Sequence, residues 1–162
     1  MSNEDVLKKF LERFDSAEFQ VNEPYGLLTI SVISNKIHDV MAFFRDKMDF
    51  NFLTDLCGIH YPEMEKALGV VYHIHNLQDN IRLRLKTYVS VDNPHVPSST
   101  DLYESANWME RETYDFYGII FDGHPNLKRI LNVDYLDYFP MRKEYPLEDP
   151  TREDKEDRFF GR

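Results

Sequence analysis

Cysteine is nearly missing from this chain: Cys57 is the only one in 162 residues. One thiol excludes an internal disulfide, and it excludes any iron–sulfur or zinc centre held by several thiolates of this chain alone. A chain without disulfides suits a reducing compartment. Glycine is scarce as well. The six glycines, at 26, 58, 69, 118, 123 and 161, never fall at GxGxxG or GxxxxGK[ST] spacing, so neither familiar phosphate-cradling loop is present. No apolar run approaches the ~20 residues that span a bilayer. The acidic start, Met1 to Asp5, has no apolar signal core, which predicts no secretion. Positive charge is in deficit, 19 Lys+Arg against 29 Asp+Glu, a net −10. That balance argues against autonomous binding to nucleic acid or to an anionic membrane surface. Any membrane association is therefore indirect.

What is present is apolar and aromatic. Hydrophobic residues make up 42% of the chain, with twelve Phe and ten Tyr, enough for the core of one domain. Val6, Leu7, Phe10, Leu11 and Phe14 fall at helical spacing behind a Ser2 or Asn3 cap. Phe19 and Val21, then Leu28, Ile30 and Val32, alternate with polar residues around the turn cluster 22–26, which predicts a hairpin. Ser34 is placed to cap a second helix with the stripe Ile37, Val40, Met41, Phe44. A strand over 50–56 is expected to break at Gly58 and Pro62. Residues 70–75 and 81–89 read as a second hairpin, with Ile81, Leu83 and Leu85 opposite Arg82, Arg84 and Lys86.

Ser98, Ser99 or Thr100 can open a third helix carrying Leu102, Ala106, Met109, Thr113, Phe116 and Tyr117 on one face, with Gly118 to end it. The order α-β-β-α-β-β-β-α predicts an α+β, two-layer domain, helices packed on one face of a mixed, mostly antiparallel sheet. Residues 1–118 form that domain and 119–162 an extended, partner-binding arm. In the arm Tyr135, Leu136, Tyr138, Phe139, Met141, Tyr145 and Leu147 sit among prolines and charges, and can bury their rings only along a neighbouring surface.

Three groups of residues invite chemistry. His73 and His75 share one strand face, but two imidazoles fall short of the three or four ligands a metal needs, so they read as surface or partner-facing. Cys57 lies near His60, yet nothing in the sequence supplies a cation to stabilise a thiolate, so it reads as a small buried residue. The densest cluster is ERETYDFYGIIFDGHPNLKRIL, Glu110 to Leu131. Arg111 and Asp115 are an i, i+4 pair, flanked by Glu110 and Glu112, on a face with Trp108 away from the apolar stripe. It reads as an acid–base or metal site of a stand-alone enzyme using Glu110, Glu112, Asp115 and His124, as a solvated face, or as a docking face. Aromatic anchors and bidentate Arg favour docking.

That same stretch, preceded by Trp108, resembles the signature of the 30 kDa subunit family of the proton-pumping NADH–quinone oxidoreductase, respiratory complex I, in its bacterial form. VPSST (96–100), FLTDLCGIHYPE (52–63) and FPMRKEYPL (139–147) agree with it. Met141 and Glu144 stand where the family more often has Leu and Asp. The matching positions are Glu110, Arg111, Glu112, Asp115, Gly118, His124, Pro125, Lys128, Arg129 and Leu131, and the tail motif adds Arg142, Lys143, Tyr145 and Pro146. The resemblance implies a peripheral-arm subunit with no catalytic residue and no cofactor of its own. FMN and iron–sulfur clusters would then sit in partner subunits of the enzyme, which passes electrons from NADH to quinone. Its neighbours would be the terminal-cluster subunit and the quinone-site large subunit, on the cytoplasmic side of the bacterial inner membrane. A scaffold subunit of a ferredoxin-linked or membrane-bound hydrogenase complex shares that signature, and these residues leave it open.

Overall fold

The computed structural model describes residues 1–14 and 19–145. Helix α1 (Asn3–Arg13) is closed at its start by Ser2. The Ser2 hydroxyl accepts from the Asp5 N–H at 3.2 Å, and the Asp5 carboxylate accepts from the Ser2 N–H at 2.8 Å. The helix buries Val6 and Phe10. Strands β1 (Phe19–Asn22) and β2 (Thr29–Val32) form the expected antiparallel hairpin around a 3-10 turn at Pro24–Gly26. Helix α2 (Ile37–Met48) buries the whole predicted stripe. Ser34 does not cap it. It begins a separate 3-10 turn, Ser34–Lys36, without a side-chain capping bond. The stripe therefore anchors α2, by packing: Phe44 stacks on Phe10 at 5.4 Å and meets Phe50 edge-on at 5.5 Å.

Strands β3 (Phe52–His60), β4 (Leu68–Asn76) and β5 (Ile81–Val89) complete a five-stranded sheet in the order β1-β2-β5-β4-β3. Its single parallel pair is β2 with β5, and the others are antiparallel. The parallel pair is a crossover: α2, β3 and β4 intervene before the chain returns beside β2. Alternation sorts the sheet into two faces. Leu68, Val70, Tyr72 and Ile74 join Leu83, Leu85 and Val89 in one core with the inner residues of all three helices. Arg82, Arg84 and Lys86 point the other way, where no helix of the described residues lies. The α+β architecture follows the predicted order.

Three local expectations change. β3 does not stop before Gly58 but runs through it, because helix α3 (Ala106–Tyr117) lays the Tyr117 ring over that residue where a Cβ would overlap it. Ser98, Ser99 and Thr100 do not open α3. The Ser99 carbonyl accepts from the Leu102 and Tyr103 N–H groups in a turn, and the helix starts at Ala106. The irregular segment does not begin at Gly118. Ile119 and Phe121 are core residues, and β7 (Ile120–Asp122) pairs in parallel with β6 (His95–Pro97). Helix α3 is thus clamped at both ends. Gly118 ends it as expected, with φ +75° and its N–H donated to the Tyr114 carbonyl at 2.8 Å.

Gly58→Ala must displace the Tyr117 ring from its base, so it is expected to cost about 1–3 kcal/mol in a urea denaturation. Pairing it with Tyr117→Leu should recover a measurable part of that loss. Purely additive losses would show that the two residues do not meet.

Candidate functional site: a partner-facing arm held by the third helix

Helix α3 buries two carboxylates. Glu110, with no exposed surface, accepts from the Ser98 hydroxyl, the Ser99 N–H and the Ser99 hydroxyl, each at 2.7 Å. Burial pushes its carboxyl up, against the pull of those Ser99 and Ser98 donors. The serines expected to cap the helix serve as the cradle of a carboxylate instead. Nothing in the linear pattern marks either serine for this; the legible signal is a Glu on the inward side of a helix, which demands donors.

Asp115 is also fully buried. One oxygen accepts from the N–H groups of Ile130, Leu131 and Asn132 at 2.8–3.0 Å, three successive backbone donors. The other accepts from Arg129 Nη1 at 2.8 Å and Asn132 Nδ2 at 3.0 Å. Burial raises its carboxyl, but the Asn132 and Leu131 N–H groups, Arg129 and the Ile130 N–H outweigh it and hold the group well below the usual carboxylate range. The i, i+4 pair of Arg111 with Asp115 is therefore corrected. Asp115 turns inward to serve the backbone N–H groups of Ile130, Leu131 and Asn132, which have no other partner among the described residues, and its cation comes from fourteen residues along. Arg111 caps carbonyls of the same loop, those of Lys128 and Arg129, both at 3.2 Å.

Arg129 continues the chain of contacts. It donates to the Leu136 carbonyl at 2.8 Å and the Tyr138 carbonyl at 3.2 Å, and lies over the Phe139 ring. Arg142 covers the same ring, 4.7 Å from its centroid, while donating to the Tyr117 carbonyl at 2.8 Å. Phe139 thus meets two guanidinium groups. The Lys143 N–H donates to His60 Nδ1 at 2.9 Å, tying the arm to β3. With its polar groups so occupied, the segment leaves apolar side chains outward: Leu131 is 64% exposed and Tyr135 87%, and on α3 Trp108 is 59% exposed. Val133, Met141 and Tyr145 are exposed too.

The amino-acid pattern of this region has known counterparts. The family model described as "Respiratory-chain NADH dehydrogenase, 30 Kd subunit" matches residues 30–151. An NADH-quinone oxidoreductase subunit of Citrifermentans bemidjiense is 38% identical over 93% of this chain and 94% of its own length. Its namesake in Roseiflexus sp. is 41% identical over 91% and 86%. The one in Xanthobacter autotrophicus is 44% identical over 75% of this chain, and there the chain spans 59% of the relative. This chain belongs to the 30 kDa subunit family. A trypsin-resistant fragment of Nqo5 (1–134) has the same fold, with a TM-score of 0.69 and 32% identity over 78% of this chain and all of the fragment. A chain of an archaeal membrane-bound sulfane sulfur reductase shares the fold at a TM-score of 0.74 and 22% identity, over 89% of this chain and 85% of that one.

Within this family fold the remaining signature positions divide. His124 donates from Nε2 to the Asn107 carbonyl at 3.0 Å and accepts the Asn126 N–H on Nδ1 at 3.0 Å, which pins the loop after β7 to α3. Glu112, Pro125 and Lys128 are exposed. Glu110, Glu112, Asp115 and His124 are not gathered around one point; each of the three that is bonded serves a different segment. Pro146 and Leu147 lie outside the described residues. No group of three or more His, Cys, Asp or Glu that could hold a metal occurs among the described residues.

Two smaller expectations are corrected. His75 is buried, not surface-facing, with Nε2 3.2 Å from Asn80 Oδ1, because the tight β4–β5 turn closes over it. His73 accepts from Arg84 Nε at 2.8 Å. Cys57, expected inside, is exposed on the helix-free face because it alternates with the inward Leu56 and Gly58. The partial cover of its sulfur and the Asp55 carboxylate push the thiol up, the opposite of an activated thiolate.

A depressed folded pKa stabilises the fold above the unfolded value, so the Asp115 contribution is complete above about pH 4 and is lost as pH falls below it. Glu110, raised, has the opposite sign. Asp115→Asn should cost about 3–5 kcal/mol at pH 7 by stranding Arg129. It should also flatten the fall in urea midpoint as pH drops below about 4, and an acid limb as steep as that of the parent would refute the assignment.

Proposed function

We propose that this chain is a structural subunit of the peripheral arm of a proton-pumping NADH–quinone oxidoreductase, and that its work is binding. In this reading it carries no redox centre. FMN and the iron–sulfur clusters belong to neighbouring subunits, and the chain holds the terminal-cluster and quinone-site subunits in register on the cytoplasmic side of the membrane. Family membership supports the enzyme. The observation that carries the binding role is the arm over 129–145, whose polar groups are consumed internally by Asp115, Arg111, Arg129 and Arg142 while its apolar side chains face outward. Large apolar side chains left exposed together along one segment mark a protein–protein contact. Electron transfer depends on such scaffolding because the spacing of cofactors and the shape of a quinone pocket are set by how subunits sit together.

The test separates folding from assembly. Leu131→Asp with Tyr135→Asp changes two outward side chains, so the isolated full chain should keep its stability to within about 0.5 kcal/mol. The same variant should no longer co-purify with a tagged partner subunit from native membranes. Arg111→Ala should lower the amount of assembled complex, while the midpoint potentials of the clusters in whatever complex remains stay unchanged. Normal assembly of the Asp variant, or a shifted potential at normal assembly of Arg111→Ala, would overturn the reading.

A further inference from the structure

The helix-free face of the sheet carries a feature that the arm does not use. In a chain of net charge −10, β5 presents Arg82, Arg84 and Lys86 in one row, and none of the three forms an ion pair among the described residues. Among the described residues Arg84 spends only its Nε, on His73. The one carboxylate on the facing strands, Asp55, is 3.4 Å from His73 Nδ1. The row continues into a groove of about 550 Å³ lined by Phe19, Ile33, Met64, Lys66 and Tyr88, with Glu65 as its acidic member. Ser31, which lines the groove, is the register partner of Lys86, so row and groove are one surface.

We propose that this face is a second docking site, for an extended acidic segment of a neighbouring subunit, with carboxylates along Arg82, Arg84 and Lys86 and an apolar side chain in the groove beside Tyr88. The inference rests on the scaffold role above. Charge complementarity selects the acidic partner, since cations without an ion-pair partner among the described residues, concentrated on one face of an acidic chain, are matched by negative potential. The spacing selects an extended one. Alternate residues of β5 lie about 6.6–6.8 Å apart, the repeat at which alternate side chains of another extended strand also recur.

Carbodiimide cross-linking of the whole complex in native membranes tests this directly, because it joins an amine to a carboxylate only in contact. The expected product is an amide between Lys86 Nζ and an Asp or Glu of another subunit, in a stretch holding further carboxylates. Lys86→Arg should abolish that link while the complex stays intact. Arg82→Glu with Lys86→Glu should lower retention of the chain about tenfold with an unchanged urea midpoint of the isolated chain. The proposal is overturned by Lys86 links confined to this chain, by no link, or by full retention of the charge-reversed variant. Binding of the isolated chain to phosphatidylglycerol vesicles that this variant loses would assign the row to a lipid surface and overturn it too. A complex that lacks the chain altogether sinks the scaffold role, whereas a chain present with Lys86 unlinked sinks only this inference.

Discussion

The carboxylate of Asp115 lies out of contact with water and receives five donors: Arg129, the N–H groups of Ile130, Leu131 and Asn132, and the Asn132 amide. The arm has little regular structure with which to satisfy its own backbone, so its N–H groups must find an acceptor elsewhere. A single ionised carboxylate in the side of α3 meets that need. It recruits Arg129, which fixes the carbonyls of Leu136 and Tyr138 and one side of Phe139. The shape of the arm from Arg129 to Phe139 follows from one acid group, and so does the outward direction of Leu131 and Tyr135.

The same economy of polar groups governs the opposite end of α3. Glu110 stabilises the Ser98–Thr100 turn in the way Asp115 stabilises the arm, and the β6–β7 pair then ties the segments before and after the helix together. With α1 and α2 on the same side of the sheet, the core is complete on one face. The other is left to β5 and its three cations. The molecule therefore offers two surfaces of different chemistry, an apolar one on the arm and a cationic one on the sheet. That division is what a subunit placed between several neighbours would use.

Much of the fold was legible in the pattern of residues. The stripe of α2, the strict alternation of Ile81 to Val89, the turn cluster at 22–26 and the stop at Gly118 each have one physical solution, and each is found. Where the local pattern misleads, the cause is a partner distant in sequence. Gly58 reads as a strand breaker until Tyr117 is seen to occupy the space of its missing side chain. Asp115 reads as the partner of Arg111 because i, i+4 spacing is the only relation a linear reading can test, while Arg129 and the loop N–H groups are brought to it by packing. Ser98 and Ser99 read as caps because hydroxyls before a helix usually are.

Sequence alone determined the α+β class, the family, and the lack of any phosphate loop or multi-thiolate centre, since these depend on composition, local periodicity and motif spacing. Tertiary structure decided which charges are buried and with whom. That question turns on desolvation, and desolvation is set by segments that come together only when the chain folds. It made structural anchors of Glu110 and Asp115, put the single cysteine on the open face of the sheet, and left Arg82, Arg84 and Lys86 without ion-pair partners among the described residues.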